Sequence, residues 1–265
     1  MKIEIKNRYT REAMISGEYE SIKECIANLS MADLNKADLW HADLRHADLR
    51  HADLMNANLW NSDLRHADLR HADLWHANLR NSDLRHANLR KSDLWNADLR
   101  NANLRNSDLR HAYLWHANLR NSDLRHANLR KSDLWNADLR NSDLRNADLW
   151  NSNLRNADLR NADLRNSDLR HADLCHADLR HSNLIGIKNY SESHQIFQHL
   201  VKGQSIKVFT ESEWAMIGKI TLHMPCWDTI KNKFGEPFLR VFEVIKDAGW
   251  PEYYDKYVEI LGGVE

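Results

Sequence analysis

From Ala27 to Gly186 the apolar positions recur every five residues, a period that fits neither a helix at 3.6 nor an alternating strand at 2. The stretch divides into 32 consecutive units of the form A/S-D/N-L-x-x, 160 residues in all. Position three is always Leu, from Leu29 through Leu34 to Leu184. Position one is Ala in 22 units and Ser in 10; position two is Asp or Asn everywhere except at Tyr113. Positions one and three lie two apart, so in extended backbone they face the same side while position two faces out. Positions four and five are polar or bulky and belong outside as well. A short extended piece followed by a corner, repeated, winds the chain into a solenoid whose stacked coils pair at about 4.8 Å. Ala or Ser suits the tight inner corner, and Leu fills the middle.

Position four sets a second, longer period. It is Arg in 20 units, but Trp75, Trp95, Trp115 and Trp135 recur at intervals of 20 residues. Asn35, Met55 and Cys175 fall in the same register, with Arg155 the exception. Four units therefore make one turn of the solenoid. Residues 71–100 and 111–140 differ at one position, Asp73 against Tyr113, and their offset of 40 residues preserves that register. This reads as an internal duplication; the near-uniform units fit repeat expansion and deliberate engineering equally.

The A-D/N-L-x-x run resembles the pentapeptide-repeat family. That resemblance implies a mainly β fold: a right-handed quadrilateral β-helix solenoid of about eight coils, a rod on the order of 38 Å long. The inward Ser residues, Ser62, Ser82, Ser122 and Ser142 among them, are expected to hydrogen-bond to backbone or to one another.

An open solenoid end exposes Leu and unpaired backbone, so it calls for a cap. Residues 1–26 read as a short N-terminal cap: a strand from Lys2 to Lys6, a turn near Arg8 to Gly17 and a short helix over Glu20 to Ile26. The repeats fill 27–186. Residues 187–265 lose the five-residue period and read as a small all-α C-terminal domain. Ser191 caps a helix through Val201, and Thr210 with Glu213 forms a capping box ahead of Trp214 and Ile217. A further helix spans Cys226 to Lys233, Pro237 opens one through Ala248, and Pro251 opens the last, through Leu261.

Charge then limits the function classes. The chain has 37 Lys+Arg against 38 Asp+Glu, a net charge of −1. Within the repeats, 22 Asp face 20 Arg plus Lys36, Lys91 and Lys131, a net of +1. Neither a globally basic nucleic-acid binder nor a strongly acidic mimic of DNA fits that balance. Cys25, Cys175 and Cys226 are scattered, with no disulfide framework or zinc spacing, which points to a reducing cytoplasm. No apolar leader or membrane-length run is present, so no membrane role is expected. Thirteen His share position five with 14 Asn, so even the evenly spaced His46, His66 and His86 point to no metal site.

Asp, His and Ser recur as a lattice rather than converging, and Leu fills the interior. No catalytic residues, cofactors or enzymatic activity are therefore expected. The expectation is a non-catalytic structural or interaction scaffold. Its candidate interaction face is the column Trp75, Trp95, Trp115 and Trp135, for a protein partner or for self-association as a homodimer, through this face or through the C-terminal helices. Two alternatives stand beside it. The resemblance admits a DNA-mimicking, topoisomerase-binding protein of the quinolone-protection kind. The interleaved Arg and Trp columns admit a nucleic-acid-binding module, with nucleic acid the less expected partner.

Overall fold

The unit Ser62–His66 illustrates how five residues satisfy their own backbone. Ser62 N–H donates to the Leu59 carbonyl at 3.1 Å, Asp63 N–H to Ala42 O at 2.9 Å, and Leu64 N–H to Asp83 O at 2.8 Å. His66 N–H donates to Arg85 O at 3.1 Å, and Arg65 N–H to the Asp63 side-chain oxygen Oδ1 at 3.2 Å. All five donors are satisfied: three across coils, one within a turn and one by a side chain. The cross-coil bonds make each position-two residue a parallel bridge to the residue 20 further on, from Asp33↔Asp53 to Asp163↔Asn183. Such connectivity is that of a β-helix. The computed structural model describes residues 2–18, 30–187, 209–210, 213, 217, 239–247, 254–255 and 258.

The corners depend on position five. Every position-five residue from Met31 to Gly186 has φ between 52° and 71°. It sits third in a four-residue turn closed by bonds such as Ala67 N–H to Leu64 O at 3.0 Å. A positive φ at that place is the requirement of a type II turn. Asn and His tolerate the left-handed region better than other side chains, which is why they share the position.

Positions one and three form the core. Leu residues from Leu34 to Leu184 are 0–4% exposed, and the Ala residues from Ala37 to Ala162 no more than 2%. Inward Ser hydroxyls bond to backbone, as expected: Ser62 Oγ donates to Leu59 O at 2.7 Å and Ser122 Oγ to Leu119 O at 2.7 Å. Ser167 Oγ has no partner.

At the start of the chain, β1 (Lys2–Asn7) and β2 (Ala13–Glu18) form an antiparallel hairpin. The stretch from Arg8 to Gly17, read from sequence as a turn, therefore contains most of a second strand. The helix read over Glu20 to Ile26 lies outside the described residues. β1 also pairs with β3 (Ala37–Asp38) in the order β2-β1-β3, with Lys6 opposite Asp38. Arg11 Nη1 reaches Asp38 at 2.8 Å, and Arg8 donates to Asn56 O at 2.9 Å, so side chains also tie the hairpin to the coils.

Contacts divide the chain into two units, Met1–Lys188 and Asn189–Glu265. In the second, α1 (Leu239–Asp247) buries Val241, Phe242 and Ile245. The capping box forms: Glu213 N–H donates to Thr210 Oγ1 at 3.3 Å, and Thr210 N–H to Glu213 Oε2 at 2.6 Å. Arg240 on α1 pairs with the same carboxylate at 2.6 Å. The helices read over Ser191 to Val201 and Cys226 to Lys233 lie outside the described residues.

Candidate interaction face

Position two carries two tasks. Its Oδ1 accepts the N–H of position four, an Asx turn, in Asn units (Arg80 to Asn78, 3.3 Å) as in Asp units (Arg45 to Asp43, 3.2 Å). Where Asp precedes Arg, the carboxylate also takes a two-pronged bond from the guanidinium. Arg125 Nε lies 2.8 Å from Asp123 Oδ1 and Nη2 lies 2.5 Å from Oδ2. Many of these Arg also approach the Asp of the next coil, as Arg125 does Asp143 at 3.3 Å. The bond from Arg65 holds Asp63 below the usual carboxylate range; Arg165, Arg170 and Arg180 do the same for Asp163, Asp168 and Asp178.

Where Asn precedes Arg, the fork is missing. Nε of Arg80, Arg90, Arg105 and Arg120 has no hydrogen-bond partner. Arg80, Arg90 and Arg105 approach the next coil's Asp at 3.9–4.0 Å instead.

The Trp column differs from these surfaces. The bridges Asp73↔Asp93, Asp93↔Tyr113 and Tyr113↔Asp133 bring Trp75, Trp95, Trp115 and Trp135 to one face. Each Asp there caps its Trp amide, at 3.0 Å for Trp95 and Asp93, but its own unit has no guanidinium. Burial first, and then the neighbouring carboxylates of Asp93 and Asp53, push Asp73 above the usual range, against the pull of the Trp75 amide. This face therefore carries carboxylates without the guanidinium fork of the other columns, beneath aromatic rings.

The rings contact one another in two pairs. Trp75 and Trp95 lie with centroids 4.5 Å apart at 41°, and Trp115 and Trp135 lie 6.2 Å apart at 68°. Between the pairs an open cleft of about 340 Å³ is lined by Trp75, Asp93, Trp95, Tyr113 and Trp115. Tyr113 and Trp115 are 51% and 42% exposed. In the sequence Tyr113 stands out only as an exception to the Asp/Asn pattern, and its place in the Trp register is the signal that marks it. Elsewhere Trp40 stacks on Trp60 at 5.8 Å, and Arg130 lies 4.6 Å from the Trp150 ring centroid.

His46, His66 and His86 stack at 4.9 Å, ring on ring. Among the described residues no three His, Cys, Asp or Glu side chains are grouped to hold a metal, and no helix is long and apolar enough to cross a membrane.

The family described as pentapeptide repeats matches in eight copies, over residues 32–70, 67–106, 107–146, 122–161, 142–180 and 157–188. No curated protein matches the chain. Among solved structures, HetL, a pentapeptide repeat protein involved in heterocyst differentiation regulation from the cyanobacterium Nostoc sp. strain PCC 7120, is 35% identical. The alignment covers 60% of this chain and 83% of HetL, with a TM-score of 0.38. QnrB1, a plasmid-mediated fluoroquinolone resistance protein, is 19% identical over 68% of this chain and 94% of its own, with a TM-score of 0.45. Rfr23 from the cyanobacterium Cyanothece 51142 is 36% identical over 35% of this chain and 59% of its own, with a TM-score of 0.21.

Proposed function

The chain belongs to the pentapeptide-repeat family, whose members fold as right-handed β-helices, and from that premise we propose a non-catalytic interaction scaffold. Its contact surface is the face carrying Trp75, Trp95, Trp115 and Trp135, and a second copy of the chain is the first partner to test. The finer architecture belongs to the same reading: about eight quadrilateral coils, capped at the start by the β1–β2 hairpin, with a helical domain beyond residue 186, working in the cytoplasm.

The observation that carries the reading is the contrast between faces. Forks and cross-coil pairs occupy the guanidinium-bearing columns, and such solvated pairs are worth no more than about 1 kcal/mol each to a partner or to the fold. The Trp column instead presents aromatic surface to solvent, most at Tyr113 and Trp115, 51% and 42% exposed, with His76 and His116 edge-on against Trp95 and Trp135, and contact surfaces are rich in such rings. The same contrast weighs against the nucleic-acid reading, because Arg residues held by Asp in their own units have little charge left for phosphates. The repeat net charge of +1 weighs likewise against imitation of DNA.

Replacing all four Trp by Arg tests the proposal without endangering the coil, since Arg fills the same position in 20 other units. Chemical cross-linking of the full chain is expected to yield a dimer that this variant loses. Unchanged cross-linking would overturn the reading.

A further inference from the structure

The cleft between the two Trp pairs has a composition that selects among ligands. Its walls are the rings of Trp75, Trp95, Tyr113 and Trp115, and its charged member is the Asp93 carboxylate. Aromatic faces carry negative quadrupoles that attract cations. The neighbouring carboxylates along the column, Asp73 and Asp53, add to the negative field. An anion is therefore disfavoured. A purely apolar ligand would strip water from the Asp93 carboxylate without replacing it.

The kind of cation follows from hydrogen bonding. A primary ammonium has three donors to satisfy and a guanidinium five. Within the cleft one carboxylate is available, and its Oδ1 already accepts the Trp95 amide at 3.0 Å. A quaternary ammonium has no donors and needs only a negative field and ring faces. At about 340 Å³ the cleft sits at the small end of ligand sites, matching a head group with a short tail.

We propose that Trp75, Asp93, Trp95, Tyr113 and Trp115 form a receptor for a small quaternary ammonium compound, a free molecule of choline size. The rings embrace the alkylated nitrogen, and Asp93 supplies the countercharge from the coil beneath. This deepens the proposed function in that it rests on the Trp-bearing face being a contact surface, and the small cation competes with a second copy for the same rings. Tyr113 is the feature that makes the site local: in the other column members from Asp33 to Asp173, position two is Asp or Asn, and here a fourth ring takes its place.

Calorimetric titration of the full chain with choline, beside its uncharged isostere 3,3-dimethylbutan-1-ol and at a concentration where light scattering reads the monomer mass, tests the assignment. Choline is expected to saturate one site, with the isostere weaker by about tenfold or more. Asp93→Asn keeps the Asx cap, as Asn does at position two of Asn78, and is expected to weaken choline by about fivefold or more. Trp95→Arg, a residue the coil accepts at position four, is expected to abolish binding. Equal affinity for the isostere, no saturation by choline at low salt, or an Asp93→Asn chain binding as well as the parent would each overturn the proposal. Loss of the cross-linked dimer in the four-Trp variant, together with no choline binding by the parent, would sink the cation site and leave the contact face standing.

Discussion

At the scale of single residues, the constraint on position five is conformational. Asn146 has φ 58°, a region that costs a β-branched side chain roughly 1–3 kcal/mol and glycine nothing. Asn146→Val is therefore expected to lower stability by about 2 kcal/mol, and Asn146→Gly to leave it within about 0.5 kcal/mol, in urea denaturation followed by circular dichroism. Position two has its own single-residue test. Tyr113 offers the Trp115 amide no Oδ1, so Tyr113→Asn is expected to add about 1 kcal/mol by restoring the cap. No gain in the denaturation midpoint would contradict the Asx-turn assignment. Positions one and three were legible from the sequence because burial sets their size and polarity directly. Position five was not, because His and Asn there read only as outward polar residues until the positive φ of the turn is seen. Nor was the capping task of position two, since outward Asp and Asn read equally well as solvent-facing charge.

Among elements, the five-residue unit separates two roles that the Asp side chain combines. Asp63→Asn keeps the cap on Arg65 and removes the fork, a loss of no more than about 1 kcal/mol for a partly solvated pair. Asp63→Ala also leaves the Arg65 N–H without an acceptor and is expected to cost a further 1 kcal/mol or so. Equal losses for the two variants would place the stabilisation in the ion pair rather than the cap. The N-terminal hairpin is where reading by element fell short. Ala13–Glu18 lacks strong alternation and contains Gly17, so it resembles a turn, and its pairing with β1 comes from the register rather than from propensity. The capping box at Thr210 and Glu213 was legible because its spacing alone defines it; the tie from Glu213 to Arg240 is a contact across 27 residues that spacing does not report.

For the molecule as a whole, the lattice fixes how stability follows pH. The Arg-bonded carboxylates, Asp63, Asp163, Asp168 and Asp178 among them, have lowered pKa values. Their stabilisation is complete above the unfolded value of about 4 and is lost as pH falls through the folded values, because the unfolded chain takes up protons first. Two histidines act at higher pH. Burial lowers His71, helped by His51 and Lys91, and burial lowers His111, helped by Lys131 and Lys91. Below about pH 6.5 the unfolded chain again binds protons more readily, so stability declines there as well. Asp73 opposes the trend, since its raised pKa makes protonation a relief to the folded state. Melting temperatures are therefore expected to be level above pH 7, to fall gently below about 6.5 and to fall steeply below about 4. A melting temperature that rises on acidification from pH 7 to 5 would contradict this assignment.

At that same scale the 20-residue register of the Trp residues was legible in the sequence, but the splitting of the rings into two pairs was not, because spacing along the chain does not report ring orientation. The central claim is that one face of the coil, and not the others, makes contacts. Static light scattering of the full chain over a concentration series tests it most directly. The parent is compared with Trp75, Trp95, Trp115 and Trp135 all replaced by Arg, and with Arg65, Arg85, Arg125 and Arg145 all replaced by Gln on another face. The account predicts that the parent and the Gln variant rise together above the 31.1 kDa monomer mass, while the Arg variant stays at it. An Arg variant that associates like the parent, or a Gln variant that alone becomes monomeric, would contradict it.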